Sequence, residues 1–447
     1  MDGTRPTKRA RLELQKHPLR VRPGGNALTA SVNLKDACGL FALLPDEVLA
    51  NLLELQSAAD LLRLGSTCRA LHAFSRDDEL WRALFVQKSP ELFSWRGTWR
   101  ATYLGLAEEP RVDCSNLFSD VLHRPFFCAT VPLLPFTQGI PVHNRISRLK
   151  DLSVEEYQSS WFSKPFILTD TVKNWPIYKS WSLSSLQERY ADTRFRAEAV
   201  DWPLKTYIEY MSNNSDESPL YLFDRSFVEK MHLSESDYEP PACFGTDLFS
   251  VLGVQRPDYR WLIIGPGRSG STFHKDPNGT SAWNAVIRGS KYWVMFPSSS
   301  PPPGIYVSAD KTEVTSPLSI AEWLLGFHTE ARLSPGCVEG ICNEGEVLHV
   351  PSGWYHLVLN LESSIAITQN FVSQPRLAAV LHFLRNQKQN ISGFRDDIDD
   401  IYELFISKLK HHHPEALEQA LETLESGNRP WKKVTENEET FTFGFSS

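Results

Sequence analysis

His274-Lys275-Asp276 puts an imidazole and a carboxylate two residues apart, inside the stretch GSTFHKDPNGTSAWNAVIRGSKYWVMF that runs from Gly270 to Phe296. Side chains two apart on a strand share a face, so both can point at one bound ion. A second imidazole, His356, lies far downstream in the run VPSGWYHLVLN. Two His and one carboxylate gathered on one side of Fe(II) leave open positions for a cosubstrate and oxygen. Taken alone, His-x-Asp is more often an ordinary strand or turn, so the surrounding residues decide its meaning.

Lys291 sits in an apolar run, KYWVMF, with Trp293 and Met295 on its own face. An inward Lys is unfavourable unless an anion meets it. A later run, SIAITQNF, puts Thr368 and Asn370 on one face with Ala366, while Asn284 and Tyr221 add polar groups to otherwise apolar surroundings. Each residue also has a plainer reading. His274 and His356 read as hydrogen-bonded core histidines, and Lys291 as a side chain reaching solvent from a strand edge. Asn284 and Asn370 read as turn residues bonding backbone, and Tyr221 as core.

Taken together, SPLYLFD, YRWLIIGPGRSGSTFHKDPNGTSAWNAVIRGSKYWVMFP and EGEVLHVPSGWYHLVLNLESSIAITQNFV resemble the JmjC family. The resemblance is strongest to its lysyl-hydroxylase and arginine-demethylase subgroup, once called the phosphatidylserine receptor, and covers roughly residues 146–373. It implies a double-stranded β-helix, a cupin-like jelly roll whose mouth holds the metal. It assigns His274, Asp276 and His356 to Fe(II), and Lys291 and Thr368 to the distal carboxylate of 2-oxoglutarate. Asn284, Tyr221, Ser271 and Asn370 match further cosubstrate-pocket positions. Two departures stand out. Ser271-Thr272 replaces the Thr-Gly pair usual before the first iron His, and Trp354-Tyr355 replaces a Trp-Trp pair before the second. The implied reaction couples oxidative decarboxylation of 2-oxoglutarate to hydroxylation of a substrate C–H bond. On a lysine side chain the product is hydroxylysine; on an N-methyl group it collapses to formaldehyde, a net demethylation.

The elements that position these residues read as an α+β chain of several parts. Residues 1–36 carry eight Lys and Arg against three acids, with Pro and a Gly-Gly, and read as a disordered basic arm. TKRARLE within it reads as a nuclear-localisation signal, with a nucleic-acid-binding arm as the weaker choice. Residues 38–105 read as a three-helix bundle: Leu-Pro-Asp-Glu-Val-Leu opens a helix with Pro and acids in its first turn, followed by AADLLRL, Cys68-Arg69 and Asp78-Glu79-Leu80-Trp81. That order of residues resembles an F-box, which implies docking of apolar helix faces to the Skp adaptor of a cullin ubiquitin ligase. Residues 106–145, Pro-rich and aromatic, read as an extended strap. Residues 146–373 form the oxygenase domain, whose short β-rich runs argue a sandwich or barrel. Residues 374–430 read as C-terminal helices able to pack on the barrel or make a homodimer, and 431–447 as a tail.

Composition narrows the function class. A formal charge of −8 disfavours nucleic-acid binding over the whole surface and favours basic partners, such as a protein substrate with a Lys/Arg-rich segment of the histone or RNA-processing class. Seven scattered Cys point to a reducing compartment, and the Cys337/Cys342 spacing is a poor zinc half-site. No run is long enough to span a membrane, and no signal-peptide core is visible. Three readings compete with protein-lysine hydroxylation: demethylation of methyl-arginine or methyl-lysine, an F-box adaptor whose second domain only binds clients, and hydroxylation of RNA.

Overall fold

The computed structural model describes residues 15–109, 112–308 and 313–436, with side chains described to Glu425. Arg5, Lys8, Arg9, Arg11 and most of the tail expected at 431–447 lie outside the described residues. Residues 15–36 are not a free arm. Val21 is buried, the Arg22 N–H donates to the Leu117 carbonyl, and Arg20 pairs with Asp113 at 3.0 Å. A few apolar anchors hold this polar segment down, which composition does not reveal.

Five α-helices lie where a three-helix bundle is expected: Asp46–Glu54, Ala58–Gly65, Arg69–Phe74, Asp78–Lys88 and Trp99–Leu104. Local capping sets their starts. The Ser57 hydroxyl accepts from the Asp60 N–H and the Asp77 carboxylate from the Glu79 N–H. Cys68 caps the third, which is why Cys-Arg begins a separate short helix. The strap is mostly turned rather than extended. It holds the helix Asp120–Thr130, and Val131 and Leu133 lie under the oxygenase domain with Phe273 and Trp323.

The strands are β1 Ser147–Leu149, β2 Phe166–Leu168, β3 Arg194–Ala197, β4 Val200–Pro203, β5 Leu222–Asp224, β6 Arg260–Gly265, β7 Gly270–His274 and β8 Ser281–Arg288. There follow β9 Ser290–Phe296, β10 Tyr306–Val307, β11 Val314–Thr315, β12 Val338–Asn343, β13 Val347–Val350, β14 Tyr355–Asn360 and β15 Ser364–Phe371. Nine make a major sheet in the order β1-β2-β13-β8-β15-β6-β5-β3-β4, and four a minor sheet, β12-β9-β14-β7. The two pack face to face. Ala282, Val286 and Leu348 of the major sheet meet Trp293, Met295 and Val358 of the minor one. The other face of the minor sheet is covered by the helix Ile320–Leu333 and the strap. Strands buried on both faces explain the continuous apolar runs of β8, β9, β14 and β15.

The helices Leu377–Asn386, Ile401–His412 and Pro414–Glu436 pack on one another and on the turn Leu248–Gln255. Leu417 and Ala420, in the stripe expected to serve a homodimer, are buried within the chain itself. Cys337 and Cys342 face opposite sides of the minor sheet, so they share no metal.

Candidate active site

On the minor sheet β7 and β14 run antiparallel with His274 opposite His356. Their ring centroids are 4.1 Å apart at an interplanar angle of 55°. Each Nδ1–H donates to a backbone carbonyl two residues earlier, that of Thr272 at 2.8 Å and that of Trp354 at 3.2 Å. A carbonyl only accepts, so Nδ1 carries the proton and both Nε2 atoms keep their lone pairs, the tautomer a metal requires. Burial, with His274 nearby, holds His356 well below the ordinary imidazole range and so keeps it neutral.

Asp276 lies just beyond β7, still extended at φ −65° and ψ 146°, where it opens the turn Pro277–Gly279. Its Oδ1 accepts from Asn370 Nδ2 at 3.3 Å, while Oδ2 is buried without a hydrogen-bond partner. Burial pushes this carboxyl up to about 6, against the pull of His274. Among the described residues no group of three or more His, Cys, Asp or Glu side chains is arranged to hold a metal ion. The fit to Fe(II) therefore rests on the donors themselves: two bare imidazole nitrogens on facing strands and an orphaned carboxylate oxygen two residues past one of them.

Lys291 is wholly buried on the inner face of β9. Its Nζ donates to Tyr221 Oη at 2.6 Å and to Asn360 Oδ1 at 2.9 Å, with no carboxylate among the described residues as partner. Burial lowers its pKa to about 7. Asn284 Oδ1 and Trp293 Nε1, on neighbouring inward positions, are buried and unpartnered. Asn360 lies opposite Lys291 and four residues along β14 from His356. Strand rise makes that separation about 13 Å, which a Lys side chain and a five-carbon dicarboxylate together can span. A buried cation without an anion, aimed along the sheet toward bare metal donors, fits 2-oxoglutarate.

Two expected positions, Thr368 and Asn370, depart from their assigned roles, and a third, Ser271, reaches its place only through an irregular ladder. Thr368 Oγ1 donates its proton to the Trp283 carbonyl at 2.8 Å, so its hydroxyl must swing round before it can donate to a carboxylate. Asn370 is taken up by Asp276 and by Thr280 Oγ1 at 2.8 Å; it stands with the metal carboxylate, not with Lys291. Ser271 shares parity with the outward Phe273, yet a register shift in the β7–β14 ladder sets Ser271 opposite the inward Val358. The bulge thus returns Ser271 to the inner face. Gly270 is required beside it, since a Cβ there would stand 1.9 Å from the Val358 carbonyl oxygen. Sequence reasoning passed over Asn360, whose amide bridges Lys291 and Ser269 Oγ. A polar residue ending the run HLVLN, on the parity of His356, was the available signal.

A cleft of about 380 Å³ reaches His274 and is lined by Glu198, Glu217, Arg268 and Ser271. Glu198 pairs with Arg82 and Glu217 with Arg124, and Arg268 keeps its charge while both its terminal nitrogens donate to strap carbonyls, those of Val131 and Cys128, so the mouth carries charges of both signs.

Comparison with known proteins decides the family. Over 446 residues the chain is 36% identical to the arginine-specific demethylase JMJ22 of Arabidopsis thaliana, covering 95% of this chain and 88% of that one. The chain belongs to the JmjC family. This JmjC oxygenase matches the cupin-like domain family over residues 154–376 and the F-box-like family over residues 41–87. It is 35% identical over 263 residues to the bifunctional arginine demethylase and lysyl-hydroxylase psr-1 of Caenorhabditis elegans, covering 54% of this chain and 64% of that one. It is 30% identical over 217 residues to the 2-oxoglutarate and iron-dependent oxygenase JMJD4 of Gallus gallus, covering 44% and 49%. The JmjC domain is therefore that of an oxidoreductase dependent on Fe(II) and 2-oxoglutarate, and an F-box-like module precedes it.

Proposed function

We propose that this chain hydroxylates cationic side chains of proteins, lysine first, and removes N-methyl groups from arginine or lysine where the methyl C–H is the bond presented. The observation that carries the reading is Lys291, a buried cation with no counter-ion on the same inner face as His356. Its natural partner is the far carboxylate of 2-oxoglutarate, bound by charge-assisted hydrogen bonds from Lys291. His274, Asp276 and His356 would hold the iron. Bound Fe(II) supplies the coupling of 2-oxoglutarate decarboxylation to C–H hydroxylation. The chain itself excludes water with Trp293, Val358 and Met295, holds both imidazoles in one tautomer, and orients Asp276 through Asn370. The formal charge of −8 suits a substrate segment rich in Lys or Arg, of the histone or RNA-processing class. The names of the relatives, an arginine demethylase and a bifunctional demethylase and lysyl-hydroxylase, favour the same substrates.

The F-box-like module adds recruitment. Leu43, Val48, Leu52 and Leu55 are exposed along its first helix and the turns flanking it, an apolar row suited to a Skp-type adaptor. We assign the chain to the nucleus on TKRARLE and on the class of substrate. The test is turnover of 2-oxoglutarate to succinate with and without Lys/Arg-rich peptides and their methylated forms, read with mass spectrometry of the peptide. Peptide-stimulated turnover with one oxygen gained, or a methyl group lost, is expected. Turnover stimulated only by RNA, or iron-loaded protein that leaves every peptide unmodified, overturns the reading.

A further inference from the structure

The F-box-like module is not a separate bead. Its last helix, Asp78–Lys88, packs into one core with the oxygenase domain, where Phe85, Trp99, Trp202 and Tyr210 meet edge to face or tilted. Trp99 Nε1 donates to the buried Asp216 carboxylate at 3.0 and 3.1 Å. One polar side chain of this helix reaches further. Arg82 Nη2 donates to Glu198 Oε2 at 3.0 Å, and Nη1 to the Ser218 carbonyl at 3.3 Å. The other oxygen of Glu198 accepts the Tyr221 backbone N–H at 3.1 Å. Tyr221 Oη in turn accepts from Lys291 Nζ at 2.6 Å.

We infer that Arg82 is a positioning residue for the cosubstrate pocket: it clamps the segment Ser218–Tyr221 at both ends, directly and through Glu198, and so fixes the Tyr221 hydroxyl against Lys291. Glu198 stands at φ 48°, as the first residue of the two-residue turn between β3 and β4 requires. Both of its carboxylate oxygens are anchored. A guanidinium suits the anchoring because its fork reaches two acceptors at once, whereas an ammonium is a point charge. Were the pair only a surface bridge between two modules, Arg82 would add little, because exposed bridges are screened by water. What sets it apart is the backbone bond from Glu198 to the residue that contacts Lys291. The inference rests on the reading of Lys291 as the 2-oxoglutarate cation.

The test is calorimetric titration of 2-oxoglutarate into full-length protein loaded with Mn(II), which binds the cosubstrate without turnover. Wild type is compared with Arg82→Ala, Arg82→Lys and Glu198→Gln, with each melting curve recorded. Arg82→Ala is expected to weaken 2-oxoglutarate about fivefold, at unchanged metal affinity, and Arg82→Lys to restore part of that loss. The double variant with Glu198→Gln is expected to lose no more than the worse single change, because both act through one connection. Equal 2-oxoglutarate affinity in wild type and Arg82→Ala overturns the inference and leaves the oxygenase reading intact. So does a loss that falls equally on metal and cosubstrate, or additive losses in the double variant. Wild type that binds metal but no 2-oxoglutarate overturns both. Should Arg82→Ala fail to fold, the contrast between Arg82→Lys and Glu198→Gln carries the same decision.

Discussion

Lys291 and Tyr292 are neighbours on β9 and enter opposite faces of the minor sheet, and the two faces treat buried charged groups in opposite ways, although the Tyr355 hydroxyl of the outer face is also without a partner among the described residues. On the outer face Tyr292 donates to Glu339, which is wholly buried. Arg332 closes on the same carboxylate from two nitrogens at 2.9 to 3.0 Å, and Asn144 and His328 complete the set. Those interactions hold Glu339 down at about 2 despite its burial. On the inner face, among the described residues, Lys291 lacks an anion, and Asp276 Oδ2, Asn284 Oδ1 and Trp293 Nε1 lack any partner. Buried polar groups in folded chains are nearly always satisfied. A satisfied network ties the helix Ile320–Leu333 and the strap to the sheet; an unsatisfied one marks where something else belongs.

That contrast can be broken from either side. Glu339→Gln should lower unfolding stability by about 3 kcal/mol, because it leaves Arg332 without its buried partner; denaturant titration reads this. Cosubstrate affinity in the folded variant should not change. Lys291→Met should do the reverse. It should weaken 2-oxoglutarate about a hundredfold, as expected when one side of a buried ion pair is removed. Stability should hold or rise, since a buried unpaired charge is relieved. If Lys291→Met destabilises as much as Glu339→Gln, the two faces do not differ as described.

The pH dependence follows the same division. Lys291 drops from the ordinary lysine value to about 7 on folding, so between about 7 and 10.5 the unfolded chain holds more protons. The contribution of this group to the stability of the metal-free and cosubstrate-free protein therefore rises with pH across that window. Affinity for 2-oxoglutarate moves the other way, falling by up to about tenfold per pH unit above 7 as the cation is lost. Glu339 is lowered instead, so its stabilisation is complete above about 4.5 and is lost as pH falls through about 2. The smallest effect concerns Asn360→Leu, which leaves Lys291 one neutral partner of two and should weaken 2-oxoglutarate about fivefold. Calorimetry at several pH values reads both expectations about the cosubstrate.

Much of this site was legible because its signals are local. His-x-Asp near a strand end, and a Lys inside YWVMF, need only the period of a strand and the penalty of burying charge to attract notice. Short apolar runs between turns argue a sandwich or barrel, and the resemblance to the JmjC family makes it cupin-like. What the sequence concealed depends on contacts between distant segments. The shift in the β7–β14 ladder that returns Ser271 to the inner face is a property of the pairing, not of either strand. The attachment of Asn370 to Asp276 joins residues 94 positions apart. The order of residues 15–36, read as a disordered arm from composition, comes from Val21 and Arg22 meeting a segment nearly a hundred residues away. Arg82 looks like any solvent-facing helix residue until Glu198 is placed beside it.

The most direct test of the central claim is the stoichiometry and affinity of Mn(II) and then 2-oxoglutarate in wild type, His274→Ala, Asp276→Ala and Glu339→Gln, all confirmed folded. The inner-face account predicts one metal and one cosubstrate per chain in wild type and Glu339→Gln, and loss of metal binding in both ligand variants. Metal bound equally well by His274→Ala and Asp276→Ala would contradict it, and would place the ion elsewhere in the chain.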